Sequence, residues 1–238
     1  MVGLRSFAIA AVAMLASLCG NAWADVVVFS QPPQSPVVSA RSSQFITPPG
    51  AFNFQTFDNF SLAADTAITD VHWQAAYFNT LISPTALPNA PNATGFGVNF
   101  YANNAGLPGA LLGTYSFSPA GANETFVANQ FAPNLNLNLA IFTYDVVLSS
   151  PFLASAGTTY WLSVFSFSLL PSETEAQWGW TGGTGGDGTS VQIPGGGVVN
   201  FDRNFSLTAV PEPASLALLG TALFGVAVLY RRRRMNNR

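Results

Sequence analysis

The sequence predicts an all-β protein: a single jelly-roll-like antiparallel β-sandwich, flanked by an N-terminal signal-peptide helix and a C-terminal transmembrane helix. Three observations carry this expectation. Between Asp25 and Val210 the chain runs in short segments rich in Phe, Val, Thr, Trp and Tyr, punctuated by Pro, Gly and Asn, which is strand and turn composition. Within those segments apolar and polar residues alternate, the period of a strand with one buried face. At the two ends of the chain stand uninterrupted apolar runs, each beside arginine.

At the N-terminus, Arg5 precedes an apolar run over residues 7–18, and Ala22-Trp23-Ala24 supplies small residues before Asp25. That is the layout of a secretory signal, which assigns residues 1–24 to a segment removed by signal peptidase. The run is shorter than the ~20 residues a retained membrane helix needs. Cys19 would suit a lipoprotein, but Leu18 stands where a lipobox has a small residue. Because Cys19 is the chain's sole cysteine, the mature protein can form no disulfide.

The central segment, residues 25–209, is expected to hold strands at 26–29, 52–62, 67–79, 95–101, 110–118, 140–148, 159–167, 175–180 and 198–207. Alternation is clearest at Val71, Trp73, Ala75 and Tyr77, and at Phe96, Val98 and Phe100. The cluster Asn103-Asn104-Ala105-Gly106-Leu107-Pro108-Gly109 predicts a hairpin turn. Eight or nine short strands at this spacing suggest one sandwich domain.

At the C-terminus, Pro211-Glu212-Pro213 is followed by seventeen uncharged residues, 214–230, and then by Arg231, Arg232, Arg233 and Arg234 in the basic stretch 231–238. Seventeen residues is the lower limit for a helix crossing a bilayer. By the positive-inside rule the arginines stay cytoplasmic and leave the domain outside. The prolines mark where extended chain meets helix.

Charge narrows the function classes. Only 8% of residues are charged and none is lysine. From Asp25 to Val210, Arg41 and Arg203 face ten acidic residues, a formal charge of −8. Nucleic acid is excluded as a partner for want of clustered cations. Solubility falls to Ser, Thr, Gln and fifteen asparagines in that segment, a neutral hydrogen-bonding surface compatible with a polysaccharide-rich setting.

The tail over residues 210–238, with Pro211, Glu212 and Pro213, one marginal helix and a terminal arginine cluster, resembles the PEP-CTERM sorting signal of exported bacterial proteins. The resemblance implies that an exosortase, a membrane-embedded cysteine transpeptidase, recognises the tail and removes it near the PEP motif. The protein would be anchored transiently in the inner membrane and then released to, or joined to, the cell surface or extracellular matrix, in bacteria that make exopolysaccharide. The blocks Phe57-Asp58-Asn59-Phe60, 100–109 and 156–162 are similar to a recurrent extracellular β-sandwich found ahead of such tails.

Candidate chemistry is sparse, and no catalytic or metal residues are assigned. His72, the only histidine, is expected on the strand face opposite Val71 and Trp73. A Ser-His-Asp hydrolase would have to use it, and no G-x-S-x-G elbow is present. A glycosidase would need two facing carboxylates drawn from Asp58, Asp65, Asp70, Glu124, Asp145, Glu173, Glu175, Asp187 and Asp202. Calcium is the one cofactor the loop Thr181-Gly182-Gly183-Thr184-Gly185-Gly186-Asp187-Gly188 could take, although the loop reads first as a flexible hairpin tip. Trp178 and Trp180 straddle Gly179 and share a strand face, the arrangement of a sugar-stacking platform or of a core pair. The leading expectation is a non-enzymatic surface or matrix protein held among exopolysaccharides. The alternatives are a lectin-like carbohydrate-binding module and, behind it, a glycosidase.

Overall fold

The alternating segments fold as strands whose apolar sides converge on one core. The computed structural model describes residues 25–47, 53–79, 92–169, 176–195 and 197–210. Among the described residues there are fourteen strands and no helix: β1 (Val26–Gln31), β2 (Ala40–Ser42), β3 (Gln44–Thr47), β4 (Gln55–Ser61), β5 (Thr66–Phe78), β6 (Ala93–Asn104), β7 (Leu107–Phe117), β8 (Thr125–Ala132), β9 (Leu137–Ala154), β10 (Thr159–Leu169), β11 (Gln177–Thr181), β12 (Ser190–Ile193), β13 (Gly197–Val199) and β14 (Phe205–Ala209). Residues Val27–Ala209 form one compact unit. The signal segment and the tail, apart from their bordering residues, lie outside the described residues.

Each of the two sheets has seven strands. In the first, β5 pairs along one edge with β9, which pairs with β8. Its other edge is shared end to end by β14 and β11, flanked by β1 and β2. The second runs β13-β12-β4-β10-β6-β7, with β3 lying parallel to the far half of β10. All other pairings with a defined register are antiparallel.

Val71, Trp73, Ala75 and Tyr77 of β5 point inward, as their spacing requires, and meet Phe96, Val98 and Phe100 of β6 in one cluster. Trp73 lies opposite Tyr144 on β9 and stacks on it, centroids 5.0 Å apart and planes 4° from parallel. Phe100 and Phe152, from opposite sheets, stack at 4.1 Å. Such pairs contribute about 0.5–1.5 kcal/mol beyond area burial, and they lock the register that a one-residue slip would turn inside out.

The predicted hairpin is present: Asn104 pairs with Leu107, leaving Ala105 and Gly106 as a two-residue loop with φ of 53° and 83°. Two successive positive φ values suit the right-handed twist of the flanking strands. Elsewhere the expectation undercounts. β2, β3, β8 and β12 are absent from it, because three are four residues or shorter and β8 is an edge strand with largely exposed side chains. The expected strand at 198–207 is divided, β13 in the second sheet and β14 in the first, with the chain crossing between sheets at 200–204.

Candidate functional site

The tryptophans singled out in the sequence do share a face, and it is the inner one. Trp178 and Trp180 have no solvent exposure. Trp178 Nε1 donates to the Tyr144 hydroxyl at 2.9 Å, and Trp180 Nε1 donates to the Asn204 carbonyl at 2.7 Å. With rings packed in the core and N–H groups satisfied, neither can stack on a sugar. The expectation of a Trp178/Trp180 sugar platform is therefore corrected: at these positions burial of large apolar area prevails.

The glycine-rich loop is likewise not a hairpin tip. It carries the chain from β11 in the first sheet to β12 in the second, and its conformation is held by carboxylates. Asp202 accepts the N–H groups of Gly186 (3.0 Å) and Gly188 (2.7 Å). Asp187 accepts from Asn59 Nδ2 at 2.7 Å and from the Thr189 N–H and hydroxyl at 2.8 and 2.7 Å. Although partial burial works against its charge, these hydrogen bonds hold the Asp187 carboxyl below its ordinary value. Gly183 must be glycine, because a Cβ there would stand 2.6 Å from the Arg203 carbonyl oxygen. Among the described residues no group of three or more His, Cys, Asp or Glu could hold a metal ion.

Both sheet crossings pass a buried polar knot that sequence reasoning missed. Asp58 and Arg203 have no solvent exposure, and Gln31 and Asp202 are buried beside them. The Asp58 carboxylate accepts the backbone N–H of Arg203 and that of Asn59. Gln31, with its amide nitrogen turned inward, donates to Asp58 Oδ2 at 3.1 Å. The Arg203 guanidinium caps the carbonyls of Trp180 and Phe201 at 3.3 and 3.4 Å. Desolvation pushes the Asp58 carboxyl well above its ordinary value despite those N–H groups, and pushes Arg203 down to about 10. The only sequence clue was that Arg203 is one of two cations in a segment of ten anions.

On the outer face of the first sheet, His72 points away from the core as expected, and its Nδ1 lies 2.6 Å from Asp145 Oδ1 on β9. Ser206 of β14 stands opposite His72 in the ladder, and the row borders a shallow groove of about 230 Å³. Among the described residues, no hydrogen bond joins Ser206 to the imidazole. Of the remaining carboxylates, Asp65 accepts the Ala156 N–H and Asp70 accepts the Thr69 and Thr208 hydroxyls. Glu124 accepts the hydroxyls of Tyr77 and Tyr144. Glu173 and Glu175 lie outside the described residues, as do Pro211, Glu212, Pro213 and Arg231, Arg232, Arg233 and Arg234.

A second groove, about 560 Å³, opens on the outer face of the second sheet among Phe45, Gln55, Phe57, Tyr101, Pro108 and Ile193. Beneath it Phe57, Trp161 and Val191 form a small cluster with Tyr101 packed against them. The sequence signal for it was outward-facing aromatics on β4, β6 and β10, legible only once the strand partners are known.

Comparison with known proteins assigns the two parts of the chain. Residues 27–192 match a family model described as a domain of unknown function, DUF7901. Residues 209–234 match the PEP-CTERM protein-sorting motif, which spans the expected PEP tripeptide, helix and arginine cluster. None of the curated proteins matches. Among solved structures, a CocE/NonD family hydrolase from Staphylococcus aureus, SACOL2612, aligns at 8% identity and a TM-score of 0.31, over 78% of this chain and 37% of that one. That likeness is too slight to bear on fold or activity, and the chain spans well under half of that protein's length. The PEP-CTERM motif marks an exosortase-sorted extracellular protein. The chain belongs to the DUF7901 family, and it is a PEP-CTERM protein.

Proposed function

We propose that the protein is a non-enzymatic component of the cell surface or extracellular matrix, exported by its signal peptide and held by an arginine-oriented transmembrane helix until the exosortase acts. It is then retained among exopolysaccharides. The observation that carries this reading is the sorting motif at residues 209–234 placed directly behind an all-β domain. The chemistry of the domain supports it. The carboxylates of Asp58, Asp187 and Asp202 accept hydrogen bonds from the chain's own backbone and side chains. These groups hold strands and crossings in place.

The test is mass spectrometry of the protein from matrix and membrane fractions of the producing bacterium, with and without its exosortase. The mature matrix form is expected to begin at Asp25 and to lack every peptide beyond Pro213, while the exosortase-deficient cell retains the intact tail in its membrane. Recovery of Arg231 to Arg234 on the mature surface form would overturn the processing step. Absence of the protein from the polysaccharide fraction would overturn the matrix assignment.

A further inference from the structure

The groove on the outer face of the second sheet has features of a binding site. Phe45, Gln55, Phe57, Tyr101, Pro108 and Ile193 border it, and none is charged. The Tyr101 hydroxyl accepts hydrogen bonds from Gln55 Nε2 at 2.9 Å and from Asn99 Nδ2 at 3.0 Å. With both lone pairs so engaged, its own hydrogen is left to point elsewhere as a donor. Asn99 Oδ1 beside it has no hydrogen-bond partner, although Asn99 is only 8% exposed. Ser163 Oγ, opposite Asn99 on β10, is buried and equally unpartnered. Buried polar atoms are almost always satisfied; these two lie behind the lining and outside it, so the polar groups a ligand meets directly are the Tyr101 hydroxyl and the Gln55 amide.

We propose that this groove binds a neutral polysaccharide. Sugar CH faces would pack on Phe45 and Tyr101, and sugar hydroxyls would meet the Tyr101 O–H and the Gln55 amide. Mixed aromatic and precisely placed uncharged polar linings are how proteins hold such small amphipathic ligands. The surroundings select the occupant. An anionic glycan would meet no cation in the groove and a domain of formal charge −8. Gln55 and Phe57 of β4 and Tyr101 of β6 belong to interior strands of their sheet, which offer an extended peptide no free edge. A ligand that brings its own hydroxyls on an apolar ring is what remains. The inference rests on the proposal that the protein is held among exopolysaccharides and names the site that does it.

The experiment uses the full-length protein in a polyoxyethylene detergent, which carries no sugar, titrated calorimetrically with cellohexaose, laminarihexaose and mannohexaose, and with polygalacturonate as the acidic comparison. Gln55→Glu and Tyr101→Phe are measured beside Ser206→Ala on the opposite sheet, and near-UV circular dichroism verifies that each is folded. Binding of at least one neutral hexaose, weakened tenfold or more in both groove variants and unchanged in Ser206→Ala, supports the site. Equal binding by wild type and both groove variants overturns it, as does preference for polygalacturonate or no binding at all. Retention on the producing bacterium's crude exopolysaccharide is measured in parallel. Retention that survives both groove variants overturns the groove while the matrix reading stands, and absence of wild-type retention overturns both.

Discussion

Glu124 offers the sharpest test of how the interior is held. Its Oε1 accepts the Tyr77 hydroxyl at 2.7 Å and the Tyr144 hydroxyl at 2.9 Å, and Tyr144 in turn accepts Trp178 Nε1. Both tyrosines have no solvent exposure, so Glu124→Ala strands two buried donors. At about 1–3 kcal/mol for each unsatisfied group, the expected loss is about 2–6 kcal/mol. Glu124→Gln keeps an oxygen acceptor and removes the charge. Burial raises the Glu124 carboxyl from 4.5 although the two tyrosines donate to it. The folded state therefore holds its proton to higher pH than the unfolded state does. The stability this contributes is complete below the unfolded value and is lost as pH rises through the folded one. Glu124→Gln should thus gain on the wild type as pH rises from 4 to 7. Urea unfolding followed by tryptophan fluorescence at a series of pH values measures both effects. An equal loss in Gln and Ala variants, or a wild-type-to-Gln difference that is flat with pH, would refute the reasoning.

Three further outcomes are expected. Ala105→Asn should stabilise the protein, since Ala at φ 53° in the two-residue β6–β7 loop bears a cost of about 1 kcal/mol that Asn evades in part; a melting temperature raised by about 1–2 °C is the readout, and a lower one contradicts the turn assignment. Arg203→Ala should cost about 2–6 kcal/mol in urea unfolding, about 1–3 for each carbonyl left without its donor, because it empties a fully buried site and strips the carbonyls of Trp180 and Phe201; a loss below 1 kcal/mol would mean the knot does not secure the crossings. Gly183→Ala should destabilise by about 1–3 kcal/mol through its clash with the Arg203 carbonyl oxygen, seen as a shifted urea midpoint, and a neutral effect would show that this backbone approach is loose.

Several elements were legible from one sequence because they depend on local periodicity. The alternation through Val71, Trp73, Ala75 and Tyr77 fixes which side of β5 is buried, and hence that His72 lies on the other. The cluster around Ala105 and Gly106 fixes a hairpin because few backbone conformations join adjacent strands. The C-terminal sorting motif was legible for a different reason: Pro211-Glu212-Pro213, an apolar run and a closing arginine cluster form a pattern that needs no tertiary contacts to be recognised, and the sorting-motif match covers residues 209–234.

What alternation cannot say is which of two apolar faces is covered. Trp178 and Trp180 were rightly placed on one side of their strand, yet only packing against Tyr144, Phe96 and Phe205 shows that side to be the interior. The outward Phe57, Trp161 and Tyr101, more than a hundred residues apart at the extremes, become neighbours only through the pairings of β4, β10 and β6. The same holds for Asp58 and Arg203, 145 positions apart in the chain. Local sequence thus determined strands, turns and the sorting motif, which depend on adjacent residues. The tertiary structure decided the core, the polar knot and the groove, because burial, charge pairing and surface shape depend on which distant strands meet.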